Sequence, residues 1–147
     1  MPSDTSNAEL AERLTRRRAR LMPVLGLFMV IQQSTYFAHG DGSRLVDQVR
    51  ITGWVMMSVL VLLVLTTGGF WFRRPEVRAM IEDEGTRANR ASAMSTGFLC
   101  AMIAAIICHA MQNAWEFTGG EATHLIVSAG LVSALLRFSV LERRALG

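Results

Sequence analysis

Between Ile51 and Phe72 the chain runs for 22 residues without a charged side chain. Between Ala91 and Trp115 it runs for 25 more, counting histidine as neutral. A water-soluble domain spreads its charges along every amphipathic element. Runs of this length match the roughly 20 apolar residues that an α-helix needs to cross a bilayer. Two further segments have the same character. Leu21 to Ala38 follows a polar tail, with Pro23 tolerated in its first turn. Ala122 to Leu141 carries Arg137 near its end, where a long side chain can snorkel to the interface. The expected fold class is therefore an all-α membrane protein, an up-down bundle of four transmembrane helices.

The 147 residues suffice for one such bundle and leave no second globular domain. Residues 1–20 read as a cytoplasmic tail with a short basic helix, opened by a Ser6-Asn7-Ala8-Glu9 capping box. Residues 21–141 form the membrane domain, with spans at 21–38, 51–72, 91–115 and 122–141 and a cytoplasmic loop at 73–90. Residues 142–147 form a short cytoplasmic tail. The polar preamble is long and Phe37-Ala38-His39-Gly40 is a poor cleavage site, so the first apolar run reads as an uncleaved span.

Arginine sets the expected orientation. All 15 basic residues are arginine. Five lie in residues 1–20, five in residues 73–90 and three from Arg137 onward, against Arg44 and Arg50 in the other connections. By the positive-inside rule both termini and the central loop are expected to be cytoplasmic. The expected location is the bacterial inner membrane. The basic face suits anionic lipid. Direct binding of nucleic acid is not expected, because no aromatic–basic interleaving or helix-turn-helix pattern accompanies the charge.

Small residues recur at four-residue spacing on the third span (Gly97, Ala101, Ala105) and on the fourth (Gly130 with Ala134, Ala129 with Ser133). Such faces let helix backbones approach closely. They serve contact within one bundle or, alternatively, a homodimer seam. Val59 to Leu65 in the second span is apolar all round and is assigned the most lipid-exposed place. Gly68-Gly69 marks a bend near its inner end. Trp54, Trp71, Phe72 and Trp115 read as interfacial aromatics. Cys100 and Cys108 lie roughly 12 Å apart along one helix, too far for an intrachain disulfide.

Two polar constellations stand out. At the outer end of the third span His109, Gln112, Asn113 and Glu116 share one helix face. Gln32, Gln33, Ser34, Thr35, Tyr36 and His39 end the first span on the same side, and Thr123 and His124 begin the fourth. All three histidines thus belong to the periplasmic half, in a cluster expected to face the bundle interior. That cluster reads either as a hydrogen-bond network fixing helix register or as a pocket for a small molecule, a quinone head group, a metal or haem. No metal or cofactor is assigned. His109 and Glu116 lie two turns apart, and no two histidines sit at a tight ligand spacing. His124 also lies nearer the surface than His109, which disfavours a bis-histidine haem.

The second constellation is cytoplasmic. Arg73-Arg74-Pro75-Glu76-Val77-Arg78 opens a short helix that Gly85 can end, and Thr86 can cap the extension of the third span. Glu82, Asp83, Glu84, Arg87, Asn89 and Arg90 form a charged surface, either solvated or docking a cytoplasmic regulatory protein. No nucleophile–base pair, glycine-rich phosphate loop or carboxylate dyad is present, and Asp4, Asp41, Asp47 and Asp83 lie in tails or loops. A non-enzymatic regulatory or scaffold component acting through this loop is the expected function. A histidine-lined redox, metal or ligand-binding bundle, or a small transporter, is the alternative.

The stretch Asp83-Glu84-Gly85-Thr86-Arg87-Ala88-Asn89-Arg90 resembles a D-E-x-T-x-x-N-R signature. The signature belongs to small four-helix bacterial membrane proteins of unassigned function, where it sits just before the third span. Some relatives in that group are encoded beside helix-turn-helix regulators, which implies a membrane-bound regulatory partner. The match covers eight residues and the general layout, and it implies no catalytic residue. The small multidrug transporters are similar in size only. Their membrane carboxylate in the first helix is missing here, where Gln32 and Gln33 are the nearest polar residues.

Overall fold

The computed structural model describes residues 3–38, 45–68, 84–112, 114–115 and 118–145. These form four helices: α1 (Ser3–Ala38), α2 (Leu45–Thr67), α3 (Glu84–Met111) and α4 (Gly119–Ala145). Three of them, α2, α3 and α4, are long and apolar enough to cross a membrane. Large apolar side chains such as Met56, Phe98 and Ile106 are exposed on their outer faces. In water such surfaces drive aggregation, whereas in lipid they are ordinary solvent contacts.

Among the described helices, α4 is the common packing partner. It packs extensively on α3 along one face and on α1 along another, while α2 is held more lightly. The α3–α4 contact is backbone against backbone. A Cβ built on Gly97 would lie 2.6 Å from the Gly130 carbonyl oxygen and 2.8 Å from Ala134 Cβ. The small-residue faces of these two helices therefore meet each other inside one chain. Glycine is required at Gly97 because any side chain would occupy the space of the facing helix.

Helix α1 runs unbroken for 36 residues through Pro23. The expected separation into a short basic helix and a span is not seen. Helix formation begins at Ser3, upstream of the anticipated Ser6 cap, and Arg16 pairs with Glu12 one turn earlier at 2.7 Å. Proline has no N–H, so the carbonyl of Ala19, four residues before Pro23, loses its helical donor. Ser139 of α4 supplies a replacement, its Oγ donating to Ala19 O at 3.0 Å.

The other boundaries have local causes. Helix α2 ends at Thr67 because Gly68 turns to φ 81°, with its N–H donating to Val64 O at 2.9 Å. This is a left-handed C-terminal cap, which glycine adopts without a Cβ penalty. The second span was expected to run to Phe72, and Gly69–Phe72 lie outside the described residues. Gly85 and Thr86 were expected to break and cap a helix, yet both lie inside α3, which starts at Glu84. Helix α4 opens with a capping box: Thr118 N donates to Glu121 Oε2 at 2.8 Å and Glu121 N to Thr118 Oγ1 at 3.2 Å.

One seam of α2 is buried, formed by Trp54, Ser58, Val61, Leu65 and Gly68. Its alternating spacing of four and three residues is that of one helix stripe. Val59, Leu60, Leu62 and Leu63 remain exposed around it. Met22 and Met29 of α1, Val61 and Leu65 of α2, and Leu135 and Phe138 of α4 make the apolar core.

Candidate functional site

Two polar arrangements are buried at opposite ends of this core. Toward the α4 N-terminus, three helices contribute to one network. Gln33 of α1 presents its amide oxygen to two residues of α4, accepting from His124 Nδ1 and, at 2.8 Å, from Ser128 Oγ. Trp54 of α2 donates from Nε1 to the same Ser128 Oγ at 3.2 Å. The Trp54 and His124 rings stack, with centroids 4.0 Å apart and planes inclined by 21°. His124 and Ser128 are one turn apart on α4, so both reach the single amide of Gln33.

The hydrogen-bond roles follow from this arrangement. With the Gln33 oxygen facing the ring, His124 donates from Nδ1. Ser128 both donates to Gln33 and accepts from Trp54, which continues the chain from α1 through α4 to α2. In an apolar surrounding each unmade bond would cost about 1–3 kcal/mol, so the network holds three helices in one register.

The expected site residues are distributed differently. His124 is buried in the network. His109 on α3 and Gln112 just past its end are exposed, while the neighbouring Cys108 is buried. The interior position expected for that face does not hold for these two, because α3 turns Ala93, Gly97 and Cys108 inward. His39, Asn113 and Glu116 lie outside the described residues. Among the described residues, no group of three histidine, cysteine or acidic side chains is placed to hold a metal. Trp54, read as an interfacial aromatic, is buried instead, because its N–H finds Ser128.

Of the expected cytoplasmic surface, Glu84 and Arg87 are exposed on the first turns of α3, and Asn89 and Arg90 are half-buried. Glu82 and Asp83 lie outside the described residues.

The second buried arrangement joins the two chain ends. Arg18 of α1 pairs with Glu142 of α4 at 2.5 Å, with both side chains almost fully buried at 4% and 2% exposure. The Arg18 guanidinium also lies over the Phe138 ring, 5.1 Å from its centroid. Two charges removed from solvent in this way are held by each other and by the aromatic face. Neither partner was singled out in the sequence, where Arg18 is one of three consecutive arginines.

Beside the network, α2 and α3 stand apart over α4 and leave a lateral groove of about 490 Å³. Trp54, Ser58 and Leu62 line one wall, Phe98 the other, and Thr123 and Val127 the floor. Among the described residues no charged side chain lines it. Trp54 belongs to both features, stacking on His124 and lining the groove. Sequence reasoning missed this groove because it depends on how far two helices separate, which no local pattern encodes.

Comparison of the chain with protein-family models, with curated proteins and with solved structures finds no match.

Proposed function

We propose that this is a non-enzymatic protein of the bacterial inner membrane, a four-span bundle with both termini in the cytoplasm. It acts as a regulatory component through residues 73–90 and responds to a small ligand held between α2 and α3. The observation that carries this reading is a connectivity: the groove separates the same two helices that the charged segment joins. Direct contact between α2 and α3 is sparse, and each rests on α4. Filling or emptying the groove would change their separation, and the segment that links them would feel the change. A ligand that binds one separation of α2 and α3 better than another shifts the balance between them by its differential affinity.

Other observations support the topology. In α1 the side chains of Leu21, Val24, Leu27, Phe28, Val30 and Ile31 are exposed, which suits residues 21–38 as the fourth span. The Arg18–Glu142 pair joins the start of that span to the end of α4, so both lie at one membrane face. The arginine distribution makes that face cytoplasmic. A recess of about 290 Å³ beside Arg17 and Arg18 suits an anionic lipid head group there. The D-E-x-T-x-x-N-R resemblance supports a regulatory partner at residues 83–90.

Two measurements test the reading. Single cysteines at Glu9 and Arg144, in a chain with Cys100 and Cys108 replaced by alanine, should label with a membrane-impermeant maleimide only in inverted vesicles. Labelling from the outside overturns the topology. A photo-cross-linker at Arg87 should trap one partner polypeptide in cells. The adduct should vanish on charge reversal of Glu82, Asp83 and Glu84, and its yield should change with Val127→Phe, which fills the groove. A yield that ignores the groove refutes the coupling.

A further inference from the structure

Three consecutive arginines of α1 have different surroundings. Arg16 pairs with Glu12 at 2.7 Å on the exposed face. Arg18 is buried against Glu142. Arg17, between them, is exposed and has no acidic partner among the described residues. Its neighbours do not compensate it, because Arg13 and Arg20 are exposed on the same helix. A guanidinium at a membrane face without a carboxylate is left to the anions around it, and its planar fork matches a phosphate.

Arg17 also lines the recess of about 290 Å³, whose walls come from α1 and α2. These two helices make little direct contact, so the recess is a gap in their packing. It is graded along its length. Leu21 and Leu25 of α1 and Val64 of α2 supply apolar wall, and Leu25 lies about 12 Å along α1 from Arg17. The head-group layer is about 5–8 Å thick on each side of a bilayer. With α1 crossing the membrane from Leu21, the recess runs from the level of the head groups into that of the chains.

The geometry points to a binding site for one anionic phospholipid of the cytoplasmic leaflet. Its phosphate meets Arg17, and the upper part of one acyl chain lies between Leu21, Leu25 and Val64. Charge selects the head group: Arg17 is the uncompensated cation of the lining, while Arg18 is committed to Glu142. The apolar walls select a chain, which a free phosphate lacks. The volume is at the lower edge of small-molecule sites, so the recess takes part of the lipid and the rest stays in the bilayer. The bound lipid then bridges α1 and α2, which otherwise meet mainly through α4. This inference rests on the reading of residues 21–38 as a span with a cytoplasmic N-terminus. It turns the general affinity of a basic face for anionic lipid into one molecule held by a named side chain.

Native mass spectrometry of the full chain tests it, in detergent micelles holding equal amounts of phosphatidylglycerol and phosphatidylcholine. One phosphatidylglycerol per chain should persist under activation that strips phosphatidylcholine. Arg17→Gln should weaken its retention roughly 10- to 100-fold, the range for one charge-assisted hydrogen bond. Arg13→Gln, at an exposed arginine outside the recess, should leave retention unchanged. Added phosphatidylglycerol should also raise the unfolding temperature of the wild-type and Arg13→Gln chains, and not that of Arg17→Gln. Equal loss of lipid in both variants would reduce the effect to diffuse surface charge and overturn the site. Equal retention of phosphatidylcholine would overturn it too, as would displacement of phosphatidylglycerol by soluble glycerol phosphate, which would make a free phosphate ester the ligand. If Arg17→Gln keeps the lipid and is destabilised equally with and without it, Arg17 is structural and the inference fails. The assay is blind to membrane orientation, whereas maleimide labelling reads the topology alone, so failure of the lipid site and failure of the topology are distinguishable.

Discussion

Ser139 donates its hydroxyl proton to the Ala19 carbonyl, the backbone acceptor that Pro23 leaves without a helical partner. The proline and the serine lie on different helices, and each explains the other. A proline inside a helix costs about 3 kcal/mol or more, part of which is the lost hydrogen bond. Ala19 is buried against α4, where water does not reach its carbonyl, so a neighbouring hydroxyl takes the place of the lost donor. The same contact presses α1 against α4 one turn from the Arg18–Glu142 pair.

Ser139→Ala should therefore destabilise the fold by about 1–3 kcal/mol, the range for an orphaned buried acceptor. In a Pro23→Ala background the loss should shrink, because alanine at that position restores the N–H that Ala19 needs. Unfolding in mixed detergent micelles across the four variants reads this coupling. Additive effects would show that Ser139 serves something other than the proline gap.

The Arg18–Glu142 pair should punish single changes. Arg18→Met or Glu142→Gln each leaves a buried group without its opposite charge, at an expected loss of about 3–5 kcal/mol. The double variant Arg18→Met, Glu142→Leu should recover most of that loss, since apolar side chains of similar volume suit the site. A double variant as unstable as either single one would contradict a mutual-neutralisation role.

Three glycines at or near α4 should rank by the space before them. Gly97→Ala meets the Gly130 carbonyl at 2.6 Å and should cost about 1–3 kcal/mol or force α3 away from α4. Gly130→Ala meets its nearest atoms at 3.1 and 3.2 Å and should be milder. Gly119→Ala meets nothing within 4 Å and should be close to neutral. Thermal unfolding in one detergent suffices to order them, and an inverted order would refute the backbone-to-backbone contact.

Gln33→Leu should strand two donors at once, His124 Nδ1–H and Ser128 Oγ–H. The expected loss is about 1–3 kcal/mol for each unsatisfied group, and Trp54 emission should shift as its stacking partner moves. His124→Phe keeps the stack on Trp54 and should perturb that emission less. Equal emission shifts in the two variants would argue that the ring stack is incidental.

What the sequence alone determined is the part governed by local sums. Transfer from water to lipid is close to additive over a helix, so the charge-free runs at 51–72 and 91–115 announce membrane helices by themselves. The Gly97 and Gly130 faces were legible for the same reason, since four-residue spacing defines a helix face before its partner is known. The Thr118–Glu121 capping box was equally local and could have been read from its T-x-x-E spacing. The tertiary structure decided everything that needs two distant segments. Gln33 meets Ser128 across 95 positions, Ala19 meets Ser139 across 120 and Arg18 meets Glu142 across 124. No periodicity selects Arg18 from its arginine run, or Ser139 from the other helical hydroxyls. Their roles depend on which atoms another helix brings within about 3 Å, and a hydrogen bond is too short-ranged to leave a trace in spacing.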